Sequence, residues 1–175
     1  MEDSIEKLRY PVGKYFPVTP ITQNQIEQWK KTIEEFPTAL KHTLDKFSEK
    51  DFNTAYRPDG WTGNQVIHHL ADSHMNSIIR FKLGLTENNP VIKPYIENLW
   101  AEHSDVKNLP ASVSVKILEG VHERWFVLLN SFTENDWKRT IHHPEKNKNM
   151  TLDYLLGMYD WHCHHHLAHL KLIKS

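Results

Sequence analysis

Toward the C-terminus the chain reads Trp161-His162-Cys163-His164-His165-His166-Leu167-Ala168-His169, five histidines in the eight positions from His162 onward. Residues four apart on a helix project from one face about one turn apart, so a His-x-x-x-His pair can aim two imidazoles at one cation. Two such pairs exist, His162 with His166 and His165 with His169. The competing reading is a hydrogen-bonded core, because a buried imidazole needs a partner for each ring nitrogen whether or not a metal supplies one.

The helix that carries these residues decides which pair looks inward. Leu152, Leu155, Tyr159, Leu170 and Ile173 recur at helical period and define an apolar stripe. At about 100° per residue from Leu155, Ile173 returns almost to zero and His162 and His166 fall about 20° either side of the line. His165 sits about 80° off it and His164 about 180° off. The periodicity therefore predicts that His162 and His166 occupy the core seam and that His164 faces water. Cys163, also about 80° from the stripe centre, reads as a small packed residue rather than a nucleophile.

Two protein ligands rarely suffice, so a third must come from another helix facing the seam. Thr62 followed by Gln65 is a capping box that opens a second helix running to about Leu83, with Val66, Leu70 and Phe81 on one side. Measured from Val66, His68 points about 160° away, His69 about 60° to one side and His74 about 80° to the other. That leaves His69 and His74 both open. Asp72, Asp160 and His165 are candidates for orienting the ligands or moving protons behind them. Arg80, on the same broad face as His69, is a candidate for an anionic substrate group, and Trp61, Trp125 and Trp161 read as core or pocket wall.

The remaining elements follow from the same periodicity. Ile26, Trp29, Ile33, Phe36, Leu40, Leu44 and Phe47 give a first helix from Thr22 to about Phe47, which Pro37 is expected to kink or divide. A third helix spans about Ala111 to Ser131, with Leu118, Val121, Trp125, Leu128 and Phe132 in phase. Residues 139–149 read as a polar turn with a short hairpin, and Thr151 caps the fourth helix. Between helices two and three, residues 84–110 hold Pro90, Pro94 and Pro110 and form an unusually long connection. It lets the chain cross from one end of a bundle to the other, so helices two and three are expected to run parallel. Its Tyr95 and Trp100 are placed to roof a pocket. The expected architecture is an all-α four-helix bundle with a long crossover between helices two and three. It forms a single domain over residues 1–175, with an extended N-terminal arm at 1–21 punctuated by Pro11, Pro17 and Pro20.

Composition bounds the function. With 21 basic and 22 acidic side chains intermixed and a formal net charge of −1, nothing builds the electrostatic footprint of a nucleic-acid binder. The single cysteine excludes an intrachain disulfide, and the first residues lack the apolar core of a signal peptide. No apolar run approaches the roughly 18 residues of a membrane span. A cytoplasmic protein without nucleic-acid or membrane partners is expected.

The stretch Gly60-Trp61-Thr62-Gly63-Asn64-Gln65-Val66-Ile67-His68-His69-Leu70-Ala71-Asp72, together with Trp161 to His169, resembles the DinB superfamily of metal-binding four-helix bundles. More narrowly the chain is similar to the YfiT group of metal-dependent hydrolases, which shares Tyr10-Pro11-Val12-Gly13-x-Tyr15 and Asp72-Ser73-His74-Met75-Asn76-Ser77. The resemblance covers nearly the whole chain. It implies a metal held by three histidines, with the ligand of helix two eight residues after the tryptophan, at His69, and the pair on helix four at His162 and His166. It also implies a homodimer. Imidazole ligation leaves the metal open, with zinc the default and nickel the second candidate. A cation with an open position can activate water for hydrolysis of a small-molecule substrate. Relatives within the superfamily imply an alternative, S-transfer of a low-molecular-weight thiol such as bacillithiol or mycothiol. A third reading is a non-enzymatic, metal-stabilised bundle for binding or sensing.

Overall fold

The computed structural model describes residues 2–174, so Met1 and Ser175, the outermost residues of the expected domain and arm, lie outside it. In chain order the elements are α1 (Glu2–Arg9), α2 (Gln23–Leu44), α3 (Glu49–Phe52), α4 (Gly63–Thr86), α5 (Glu97–Trp100) and α6 (Ser104–Asn108). Then come α7 (Ala111–Asn130), α8 (Glu134–Lys138), β1 (Thr140–His143), β2 (Lys148–Thr151) and α9 (Leu152–Ile173). The four long helices α2, α4, α7 and α9 are the four read from the sequence.

Local chemistry explains where the first two of these begin. Thr22 and Gln25 form a capping box at α2, and Thr62 and Gln65 form one at α4, each pair satisfying two backbone donors that the first turn cannot pair internally. Pro37 lies inside α2 yet the helix runs through it undivided. Proline removes one backbone donor there, while Ile33, Phe36 and Leu40 on either side are buried in the core.

Side-chain contacts fix the directions of the helices. His68 meets Ser114, His74 meets His122 and Phe81 meets Trp125, so α4 and α7 run parallel, as the long connection predicted. Against α9 the order reverses: His69 meets His162 whereas Arg80 meets Tyr159, so α4 and α9 are antiparallel. Ile33 touches His122 and Lys41 touches Glu119, which makes α2 antiparallel to α7 and parallel to α9. The bundle is therefore up-down-down-up, with α2 and α4 on one diagonal and α7 and α9 on the other. Close approach of α2 and α9 depends on Gly157, where an added Cβ would stand 2.9 Å from the Trp29 ring.

Two expectations are corrected. Residues 2–9 of the N-terminal segment are helical rather than extended, and only the proline-rich stretch after them is irregular. This segment does lie on the body, where Trp161 Nε1 donates to the Gly13 carbonyl at 2.9 Å. The long connection also contains the short helices α5 and α6, and it is pinned to the hairpin by Ile92 N–H to the His142 carbonyl at 3.0 Å and His142 N–H to the Pro90 carbonyl at 2.8 Å. The hairpin itself is a two-stranded antiparallel sheet pairing Thr140 with Thr151 and His143 with Lys148. No helix among the described residues is long and apolar enough to cross a membrane.

Candidate metal centre

The antiparallel packing of α4 on α9 brings His69 between His162 and His166. One ring nitrogen from each of the three lies within 4.8 Å of the other two. His69 Nε2 stands 3.3 Å from His162 Nε2, and the ring centroids of His69 and His166 are 4.8 Å apart. Trp61 packs against the group, 4.7 Å from His69 and nearly parallel to the His166 ring at 6.4 Å. His164 is exposed on the outer face, as its phase predicted, and Cys163 is buried with its thiol pKa pushed up by burial.

His74, the other candidate left open by periodicity, approaches the same cluster from behind. Its Nε2 lies 3.2 Å from His162 Nδ1, and its Nδ1 lies 2.8 Å from His122 Nε2. His122 Nδ1 in turn lies 2.6 Å from the Ile33 carbonyl of α2. A carbonyl only accepts, so His122 Nδ1 carries a proton, and a neutral ring then has Nε2 free to accept. By the same logic His74 donates from Nδ1 and accepts at Nε2, and His162 donates from Nδ1, which leaves the lone pair of His162 on Nε2. A second chain does this for His166. His169 Nε2 donates to the Arg9 carbonyl at 3.1 Å, so its Nδ1 accepts from His166 Nδ1 at 3.4 Å and His166 keeps its lone pair on Nε2.

The electrostatics agree with neutral rings throughout. Burial holds His69 at about 4, with His169 adding to the effect, and pushes His162, His166 and His74 well below the ordinary histidine range. Burial likewise lowers His122 to about 4 and His169 to about 4, against the opposing carbonyl bonds to Ile33 and Arg9. Neutral imidazole with its second nitrogen held by a neighbour is the form that ligates a divalent cation. The 3.3 Å between His69 Nε2 and His162 Nε2 fits as well: two nitrogens about 2.0–2.1 Å from one tetrahedral zinc would be about 3.3 Å apart. The second group of close nitrogens, His165, His166 and His169, shares His166, and its His166–His169 contact is accounted for by the hydrogen bond above.

The residues hydrogen-bonded to His162 and His166, His74 and His169, are not among those expected to orient them. Asp72 is half-buried with its pKa raised to about 6 by burial, then by Asp105. It does not line the cavity at the histidines. Asp160 pairs with His164 at 3.6 Å on the outer face. His165 does stand beside the cluster, stacked on Trp161 at 4.3 Å and 4.9 Å from His166. The residues that hold the cluster, His74, His122 and His169, had signals of their own: His122 lies four residues after Leu118 on the apolar stripe of the third helix, and His169 completes the second His-x-x-x-His pair. His68, judged to point away, bonds Ser114 Oγ at 2.7 Å and takes no part.

A cavity of about 490 Å³ opens from the three histidines. Tyr95 and Pro94 of the long connection cover part of it, while Trp100 packs at a tilt on Tyr95 at 4.3 Å without lining it. Trp61 and Trp161 form wall and Trp125 is fully buried core. Arg80 also lines it.

The family model of the DinB superfamily matches residues 32–170. The chain belongs to the DinB superfamily. Within it, this DinB protein is 45% identical over 163 residues to YfiT of Bacillus subtilis (strain 168), a protein named among the metal-dependent hydrolases, with 93% of this chain and 92% of YfiT covered. A Bacillus cereus protein also named for metal-dependent hydrolysis is 46% identical over 168 residues, covering 96% of each chain. The solved structure of Bacillus subtilis YfiT, described as having an unusual four-helix bundle topology, superposes with a TM-score of 0.93 at 44% identity over 96% of each chain. A mycothiol-dependent maleylpyruvate isomerase shares the fold, with a TM-score of 0.67 at 16% identity over 83% of this chain and 60% of its own.

Proposed function

We propose that this DinB protein is a metal-dependent hydrolase whose cation, zinc by ligand type, is held by His69, His162 and His166. The observation that carries the reading is the convergence of three neutral imidazoles at the inner end of an open cavity, with the lone pairs of His162 and His166 both fixed on Nε2. A closed structural site would spend a fourth protein ligand, whereas three histidines leave a position for water or substrate. A divalent cation bound there supplies Lewis acidity and lowers the pKa of water toward neutrality.

The chain's own contribution is positioning. His74 and His169 keep the Nδ1 protons of His162 and His166 engaged, so both rings present the same nitrogen to the cavity without rotating. Trp61 packs its ring on His69 and stands parallel to His166, adding apolar wall beside the two ligands. Tyr159 and Arg80, in contact with each other at 3.4 Å, bring polar groups to the wall next to His162.

The test is a panel of ester, amide and related substrates offered to zinc- and nickel-loaded protein without any thiol. Metal-dependent hydrolysis that disappears in His69→Ala supports the reading. Turnover that appears only when bacillithiol or another low-molecular-weight thiol is supplied would make the same site a transferase, and no turnover with either would leave a binding or sensing bundle.

A further inference from the structure

Among the residues lining the cavity, Glu97, Glu145 and Lys146 are exposed rim residues, and Arg80 is the one permanently charged side chain in the half-buried and buried wall. A guanidinium cannot shed its proton, so the charge has to be met. Among the described residues no carboxylate forms an ion pair with it. Its two hydrogen bonds, Nη1 to the Tyr159 hydroxyl and Nη2 to the Lys93 carbonyl, are both 3.4 Å long and go to neutral oxygens. Its Nε is buried with no partner. The side chain is half-buried, and a cation partly shielded from water with a buried donor unmatched is the natural partner of an anion entering the cavity.

Its surroundings reinforce the point. His143, also in the wall, has its pKa pushed down by burial and then by Lys146 and Arg80, with Glu145 opposing. On the other side Arg80 is one aromatic ring from the histidines, because Tyr159 stands 5.7 Å from His162 between ring centroids. Ile92, Leu155 and Met158 line the same cavity and supply apolar surface.

We propose that the cavity takes a monoanionic carboxylate substrate: Arg80 holds the carboxylate, Ile92, Leu155 and Met158 pack on its body, and its reacting group lies at His69, His162 and His166. The proposal rests on the metal reading above. One guanidinium in the wall matches one negative charge, and its planar fork matches a carboxylate, whereas a phosphate dianion would remain half-compensated.

The probes are two straight-chain hydroxamates that bind zinc directly, one ending in a carboxylate and the other in a methyl group, compared over a series of chain lengths by calorimetry on zinc-loaded protein. At the best length the carboxylate-ended probe is expected to bind about tenfold tighter than its methyl-ended counterpart. In Arg80→Met the ratio of the two affinities is expected to fall to about one, and Arg80→Lys is expected to keep part of the advantage. Equal affinities of the pair at every length, or an advantage that survives in Arg80→Met, would overturn the proposal. If neither probe binds zinc-loaded protein, or both bind metal-free protein equally well, the metal reading has failed and the proposal falls with it.

Discussion

His74 Nε2 lies 3.2 Å from Nδ1 of His162, so the ring that α9 presents to the cavity is set by α4, the helix that also supplies His69. Removing this contact acts on metal affinity without touching a proposed ligand. His74→Ala is expected to weaken zinc binding about 10- to 100-fold, measured by competition with a chromophoric chelator. His74→Gln, whose amide oxygen can accept the His162 proton, is expected to recover part of the loss. Unchanged affinity in His74→Ala would mean that the ring orients itself.

His122 is the far end of that chain, bonded to both His74 and the Ile33 carbonyl and almost fully buried. His122→Ala leaves a donor and an acceptor without partners, at about 1–3 kcal/mol each. His164→Ala, on the exposed face, is expected to stay within about 0.5 kcal/mol of the parent. Chemical denaturation of the two metal-free variants side by side checks the difference.

The buried histidines predict acid lability of the metal-free protein. His69, His122 and His169 are each depressed to about 4 by burial, against 6.5 for an ordinary histidine. Between those values the unfolded chain binds more protons than the folded one, so stability is full above pH 6.5 and falls as the pH drops toward 4. Asp72, raised to about 6 by burial, works in the opposite direction, but it is one group against three. Urea midpoints of metal-free protein across this range should therefore decline with acidification; a flat profile would contradict burial of neutral rings.

Gly157 sits where α9 meets Trp29, with 2.9 Å available to an added Cβ. Gly157→Ala is expected to cost about 1–3 kcal/mol by forcing the helices apart, seen as a lower thermal midpoint. An unchanged midpoint would show that the Trp29 ring moves aside freely.

Much of this arrangement was legible in the sequence because it depends on helix phase. The stripe through Leu155 and Ile173 separated His162 and His166 from His164, and the capping boxes at Thr22 and Thr62 marked the starts of α2 and α4. The long connection implied the parallel pair that His68–Ser114, His74–His122 and Phe81–Trp125 display. What phase could not decide was His69 against His74. Both lie on the seam, and which one meets Nε2 of His162 and which meets Nδ1 depends on how far α9 is offset along α4, a relation between distant segments. That Asp72 lies outside the cavity lining was hidden for the same reason, since its helix face says nothing of α6 packing nearby. The helices α1, α3 and α8 are too short for a period to show.

The most direct measurement is metal content by elemental analysis of tag-free protein, comparing the parent with His69→Ala and His162→Ala. A single ion per chain in the parent, lost in both variants while they remain folded, is the predicted result, because one site spans α4 and α9. A folded parent that takes up no ion after reloading with zinc and nickel would mean that the histidines are a hydrogen-bonded core and nothing more.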